Sequence, residues 1–281
     1  MKTILLVLLY NKSIGYSETL ISLNNNDYSD YDLVIYNNGP NLLENEKLFD
    51  QLKIKLNSVE LYQDLSNKPL SIIYNNFFRK NIGYDRFIIF DDDTILPATF
   101  FADINRGELL DTDLQLPLIK SKLTGEIFYP ASNYKVISDE VSFKNDEYIL
   151  SIGSGLIIYS KLVRLFNKYN LTLFDERFAL YGVDFSFFRR IQKLKNKGEV
   201  VNIQCKSYLE HSLSRADSSD SQWRQDERFI DTILSILFYS PFYKVVYSIS
   251  KISLINIIKF NTRNIKIIMD ILVWRKHPRC R

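Results

Sequence analysis

Apolar runs and apolar stripes alternate along the first hundred residues. Ile4–Tyr10 is an unbroken hydrophobic run, which predicts a strand buried on both faces. A helix is expected near Ser17–Asn24, then a second strand over Asp32–Tyr36 that closes in the turn Asn37-Asn38-Gly39-Pro40. Leu48, Phe49, Leu52 and Leu56 recur at helical spacing, and Val59–Tyr62 reads as a short third strand. Pro69 stands in the first turn of the next helix, where its missing N–H costs nothing, and Leu70, Ile73 and Phe77 form that helix's buried stripe. Arg86–Phe90 is a strand that runs directly into Asp91-Asp92-Asp93. Strands alternating with helices predict a parallel sheet, and ligands of such sheets gather beyond the carboxyl ends of the strands.

After Pro97 the spacing changes. Strands are predicted at Leu114–Ile119, Ile127–Tyr129, Tyr148–Ser151 and Leu156–Tyr159, followed by a helix from Lys161 to about Lys168. Phe187, Ile191 and Leu194 mark a helix that starts near Asp184, and Val200–Gln204 and Ser207–Glu210 read as two strands. From Gln222 onward the pattern is helical and is broken at Pro241. The expected organisation is one α/β domain over residues 1–225 and a helical tail over residues 226–281.

Charge sharpens that division. From Arg228 to Arg281 there are ten Lys/Arg and two Asp/Glu, a net of +8, while the whole chain carries only +3. The body is therefore mildly acidic, which argues against nucleic acid as the main ligand. The tail suits an anionic surface such as a phospholipid leaflet. Apolar stripes separated by Lys244 and Lys251 describe an interfacial helix; a helix pair packed on the body fits the same residues. Cys205 and Cys280 have no partner spacing, which fits a reducing cytoplasm. Ile4–Leu9, six residues, falls short of the roughly 7–15 of a signal-peptide core, and no segment reaches the ~18 uncharged apolar residues of a membrane span. Aromatic content of 14% suits a large core, and also a site that stacks on sugar or base rings.

The sharpest chemical signal is Asp91-Asp92-Asp93-Thr94. Three adjacent carboxylates at a strand end repel one another, and burying them unpaired is costly. A divalent cation removes that cost. Mg²⁺ takes one or two protein carboxylates and fills its other positions with water and substrate phosphates. A phosphatase of the haloacid-dehalogenase kind uses Asp-x-Asp-x-Thr after a strand, but here Thr94 falls one position early and Ile95 holds the Thr slot.

In order along the chain stand Tyr10-Asn11, Tyr36-Asn37-Asn38-Gly39, and Asn67 with Leu70-Ser71 and Asn75. Phe90-Asp91-Asp92-Asp93-Thr94 and Ser154-Gly155-Leu156 follow, then Phe174-Asp175-Glu176-Arg177-Phe178 with Tyr181-Gly182-Val183-Asp184. Leu209-Glu210-His211-Ser212-Leu213-Ser214 closes the series. In this order and spacing the chain resembles glycosyltransferase family 2 of bacterial surface-polysaccharide synthesis, over about residues 3–225.

The resemblance implies a GT-A fold, a Rossmann-like mixed sheet that binds nucleotide-diphosphate sugars, here with a C-terminal helical tail. It implies that Tyr10, Asn11, Asn38 and Asp64 lie near the base and ribose. It implies Asp93 as metal ligand, Asp91 nearer the ribose or shared with the metal, and Asp92 in the variable slot. His211 is then a further ligand to Mn²⁺ or Mg²⁺, although a hydrogen-bonded core histidine fits the same position. Ser154 and Gly155 are placed on the acceptor side. Asp184 becomes the catalytic base, with Val183 where the family commonly has Glu; an N-cap is the other reading of Asp184. Arg224 either binds diphosphate or opens a solvated helix, and His277 is read as a surface residue. The implied reaction is inverting hexosyl transfer, from UDP-hexose by preference or dTDP-rhamnose, to a saccharide or lipid-linked saccharide of O-antigen or capsule. The implied location is the cytoplasm, peripheral on the inner membrane. A carbohydrate-binding module that kept the fold without the chemistry is the rival.

Overall fold

The computed structural model describes residues 1–25, 29–44, 46–106, 111–212 and 221–281. Its first part lays down β1 (Thr3–Leu9), α1 (Glu18–Asn24), β2 (Tyr31–Asn37), α2 (Lys47–Lys55), β3 (Ser58–Gln63), α3 (Leu70–Lys80) and β4 (Arg86–Asp91). Each helix is a crossover, so β3, β2, β1 and β4 lie side by side and parallel. All seven residues of β1 are buried, with Ile4, Leu6 and Leu8 in one core and Leu5, Val7 and Leu9 in the other. The hydrophobic run at the start of the chain is thus a central strand covered on both faces. β3, at the edge, alternates exposed and half-buried positions.

The second part adds β5 (Thr94–Ile95), α4 (Phe100–Ile104), β6 (Leu114–Ser121), β7 (Ile127–Tyr129), β8 (Ala131–Ser132), β9 (Lys135–Val136), β10 (Val141–Ser142), β11 (Ile149–Leu150), β12 (Leu156–Tyr159), α5 (Ser160–Lys168), α6 (Val183–Lys195) and β13 (Ile203–His211). The sheet continues beyond β4 in the order β12, β6, β13, β10. β12 runs antiparallel to both β4 and β6, whereas β13 runs parallel to β6. The sheet is therefore mixed, as the GT-A expectation requires. The two strands expected at 200–204 and 207–210 are one strand, with a register irregularity between Cys205 and Tyr208 where Ser207 adopts φ 63°. Such a bulge keeps a single strand while re-aiming its last residues.

The tail is α7 (Gln222–Tyr239), α8 (Phe242–Ile258) and α9 (Thr262–Trp274). Ile230, Ile233 and Leu234 of α7 enter the same core as α3, α5 and α6, and Ile268 and Ile271 of α9 join them. Packing on the body is what the structure adopts for α7 and for the chain's end. His277, read as a surface residue, is buried: its Nε2 lies 3.2 Å from Glu227 Oε1 on α7, and its Nδ1 accepts the Arg279 N–H. Arg279 pairs with the other Glu227 oxygen at 3.0 Å and donates to Asn67 in the loop before α3. A charge cluster closed by groups so near the C-terminus has no periodicity from which to read it. Both cysteines are buried and free.

Among the described residues no helix is long and apolar enough to cross a membrane. The outer faces of α8 and α9 nevertheless expose Phe242, Tyr243, Tyr247, Leu254, Ile258 and Trp274, together with Phe260 between the helices.

Candidate functional site

The site forms where β4 ends. Five buried residues, Arg86–Phe90, carry the backbone through the sheet to Asp91, and the chain then turns back as β5. The returning strand pairs with the end of β13, and the register sets His211 directly opposite Thr94. A histidine far along the chain is thereby held against the aspartate turn. His211 Nδ1 lies 3.1 Å from Asp93 Oδ1 and 3.1 Å from Thr94 Oγ1, and its Nε2 lies 3.9 Å from Asp91 Oδ2. One ligand atom each from Asp91, Asp93 and His211 falls within 4.8 Å of the others, a donor set of two carboxylates and one imidazole. That set fits Mn²⁺ or Mg²⁺, with positions left for phosphate oxygens and water.

The electrostatics agree. Burial, then the charges of Asp93, Asp184 and Asp92, raise the Asp91 carboxyl well above the usual carboxylate range, against a hydrogen bond from Tyr74 that lowers it. Burial lowers the His211 imidazole, which favours its neutral, ligating form. A cluster that resists its own negative charge is relieved by a cation.

Asp92 faces elsewhere. Its carboxylate is paired with Lys12 Nζ at 2.5 Å and approached by the Tyr10 N–H at 3.4 Å at the end of β1, although burial still raises it above its ordinary value. Tyr10 itself is 47% exposed at this edge, free to meet a ring. Asn11, with φ 52°, donates its N–H to Gly39 O at 2.7 Å. Two further candidates have polar partners within the chain. Asn38 is buried, and both ends of its amide are spent on the Lys68 backbone, at 3.0 and 2.8 Å. Asp64 is tied to Lys68 and to Ser66; the Lys68 hydrogen bond, chiefly, holds it down at about 2. Sequence order placed both at the correct strand ends but could not show where their polar atoms were used.

Ser154 and Gly155, expected on the acceptor side, lie behind the aspartate turn. The Ser154 hydroxyl accepts from the Asp91 N–H at 3.1 Å and bonds Thr94 Oγ1 at 2.6 Å, while almost none of it reaches solvent. These two bonds tie Ser154 to the aspartate turn. Gly155 is needed for close packing: at φ 85° an added Cβ would collide with Leu209 and come within 2.6 Å of Pro117.

Asp184 stands in the first turn of α6, but it does not cap that helix; the N-cap is Gly182, in a left-handed conformation. The carboxylate instead accepts a hydrogen bond from the Gly153 N–H, and a side chain at Gly153 would fall 2.6 Å from Asp184 Oδ1. Burial raises the Asp184 carboxyl, the Gly153 N–H lowers it and the Asp231 charge on α7 raises it again, leaving it at about 6. A carboxyl at about 6 is about nine-tenths ionised at pH 7, as suits a proton acceptor.

The motif around α3 has a supporting role. Ser71 Oγ donates to Phe178 O, the Leu70 N–H donates to Ala179 O at 2.7 Å, and the Asn75 amide clasps the Phe174 backbone in both directions. These bonds hold the segment that delivers Asp184. Asp175 anchors it further through Arg177, Arg190 and Tyr239.

Sequence reasoning missed Tyr74, Lys12 and Gly153. Tyr74 is wholly buried, hydrogen-bonded to Asp91, and feels both the Asp91 and Asp184 charges after the larger effect of burial. Its signal was present: a Tyr inside the apolar stripe of α3 must find a partner for its hydroxyl. Trp223 and Arg224 open α7, capped by Ser221. Leu213 and Ser214 lie outside the described residues.

No family model matches the chain, and no curated protein matches it in sequence. Solved structures do match. S. aureus TarS superposes with a TM-score of 0.53 at 17% identity, over 85% of this chain and 40% of that one. TarS residues 1–349, in complex with UDP-GlcNAc, gives 0.55 at 16% identity, over 85% and 67%. GalNAc-T7, with UDP, GalNAc and Mn²⁺, gives 0.58 at 13% identity, over 90% and 51%. At these identities the likeness is one of fold: the protein has the GT-A fold of nucleotide-sugar glycosyltransferases. It spans well under two thirds of full TarS and about half of GalNAc-T7.

Proposed function

We propose that the chain is a metal-dependent, inverting glycosyltransferase that moves a hexosyl unit from a nucleotide-diphosphate sugar, UDP-hexose by preference, to a saccharide acceptor. One observation carries the reading. On a GT-A fold, Asp91, Asp93 and His211 converge at the end of β4, and Asp184 stands in electrostatic reach of Asp91 with its proton affinity raised.

In this reading Asp93, Asp91 and His211 hold Mn²⁺ or Mg²⁺, which supplies charge neutralisation for the departing diphosphate. Tyr10 and the Asn11 backbone at the end of β1 receive the base. Asp184 takes the proton of an acceptor hydroxyl. The oxygen so freed attacks the anomeric carbon from the face opposite the leaving group, and the bond from that carbon to the phosphate oxygen breaks.

The acceptor is a sugar on a lipid carrier in surface-polysaccharide assembly, of O-antigen or capsule type. The α8–α9 face supports peripheral attachment to the cytoplasmic side of a membrane. Phe242 and Phe260 are 83% and 89% exposed there, and Lys244, Lys251, Lys259 and Lys266 stand among the apolar residues.

Calorimetry with UDP, GDP and dTDP tests the donor half, run with Mn²⁺ and again with EDTA. Metal should strengthen binding of at least one nucleotide by tenfold or more; equal affinity in EDTA refutes the proposal.

A further inference from the structure

An open groove runs along α6, the helix that carries Asp184 in its first turn. Its floor is a stripe one turn apart, Phe185, Arg189, then Gln192 with Lys193, and finally Asn196 past the helix end. Eleven helical steps span about 16 Å, room for several sugar units. The groove encloses about 540 Å³, and Tyr134 and Tyr148 form one wall, their rings 5.6 Å apart. Tyr134 is 82% exposed and lies in no hydrophobic core, an arrangement that suits stacking on a sugar face better than filling an interior. Gln192 and Asn196 add amides, which can donate to and accept from hydroxyls.

The charges in the groove are one-sided. Arg189 donates to Ser235 Oγ at 2.7 Å and lies over the Tyr239 ring at 5.1 Å; Lys193 lies over the same ring at 4.5 Å. Among the described residues neither forms an ion pair with a carboxylate. Asp175, the nearby acid, is taken by Arg177 and Arg190, and Asp231 accepts from the Ser235 hydroxyl that stands between it and Arg189. Lys193 is lowered from its ordinary value by burial and by the charges of Arg177 and Arg190. An added anion would relieve that.

We propose that this groove is the acceptor site and that it selects an anionic oligosaccharide, read by Tyr134 and Tyr148 on its rings and by Arg189 and Lys193 on its acid groups. The direction in which the groove is used rests on the glycosyltransferase reading; binding itself needs neither donor nor metal. The acid groups belong either to the sugar units or to a phosphate linking them to a carrier, and both present the same chemistry to the two cations.

The test titrates the full-length protein, without nucleotide, against galacturonate tetrasaccharide, maltotetraose and maltotetraose bearing a reducing-end phosphate. Binding is followed by calorimetry. At least one acidic ligand should bind tenfold or more tighter than neutral maltotetraose. Arg189→Gln and Lys193→Gln should each remove severalfold of that preference, and Tyr134→Ala should weaken charged and neutral ligands alike. Tyr134 is too exposed for its loss to unfold the chain, and an unchanged melting temperature checks the other two variants. Whichever acidic ligand binds tells where the charge sits. Equal affinity for the neutral sugar, no binding by either acidic ligand, or a preference that survives both substitutions overturns the proposal. Metal-dependent nucleotide binding, measured separately, shows whether the groove or the donor site is the part that failed.

Discussion

Asp184→Asn is the substitution on which the proposed chemistry turns. The asparagine keeps the shape of the side chain, and its carbonyl oxygen can still accept from the Gly153 N–H that positions Asp184. What disappears is the ability to take a proton. Loss of a positioned base costs about 10²–10⁴ in rate, equivalent to about 3–5.5 kcal/mol of barrier. The pH profile carries a second, independent signature. With the carboxyl at about 6, transfer should fall as pH drops through that value, and at pH 5 about one tenth of the molecules keep an ionised base. A cation bound at Asp91 and Asp93 cancels nearby negative charge, so the midpoint in the loaded enzyme lies at or below about 6. Asp231→Asn removes a charge that raises Asp184 and should move the midpoint lower still. The assay is release of nucleotide diphosphate in the presence of acceptor, with nucleotide affinity measured beside it. Turnover of the Asp184→Asn enzyme within tenfold of the parent removes Asp184 from the mechanism.

Other expectations are more local. Asp93→Asn should reduce Mn²⁺ affinity tenfold or more, and a saturating Mn²⁺ concentration that stabilises the parent by about 2–3 kcal/mol in thermal melts should stabilise the variant by about half as much or less. For Asp175, burial raises the carboxyl, but the Arg177 hydrogen bond and the Arg190 and Arg177 charges prevail and hold it at about 2, below the ordinary 3.8. Its stabilisation is therefore complete above pH 4–5 and is lost as pH falls toward 2. It is worth about 2–3 kcal/mol, and acid unfolding of Asp175→Asn should lack that component; identical acid transitions contradict the assignment. Vesicles containing anionic phospholipid should sediment with the protein and neutral vesicles should not, and Phe242→Ser with Phe260→Ser should weaken the association severalfold. Equal binding to both vesicle types rules out the charge-assisted part of that surface.

How much of this was legible depended on the kind of residue. β1, α3 and β4 are fully expressed in local pattern, because a strand covered on both faces must be apolar throughout and a helix buried on one side must show a stripe. The aspartate turn was legible for the same reason, since acidic residues directly after a buried strand are conspicuous. Asn38, Asp64 and Ser154 were placed at the correct elements, but their intramolecular partners were not legible. A polar side chain can bind a ligand or satisfy its own backbone, and only the distance to Lys68, Ser66 or Thr94 separates the two. Asp184 carried two readings, a base by resemblance and a cap by its place at a helix start, and its hydrogen bond goes to Gly153 in another segment.

The amino-acid order by itself determined the alternation of strands and helices, the carboxylates at the end of β4 and the basic, apolar character of the tail. These follow from periodicity and charge, which act between near neighbours. Tertiary structure alone decided that His211 meets Asp93, that Tyr74 reaches Asp91, that Glu227 binds the chain's end to α7, and that Arg189 and Lys193 share a groove with Tyr134 and Tyr148. Each of these contacts joins groups far apart in the chain. Strand register, the bulge at Ser207 and the packing of α7 on α6 set those distances, and none of the three leaves a local trace in the residues it brings together.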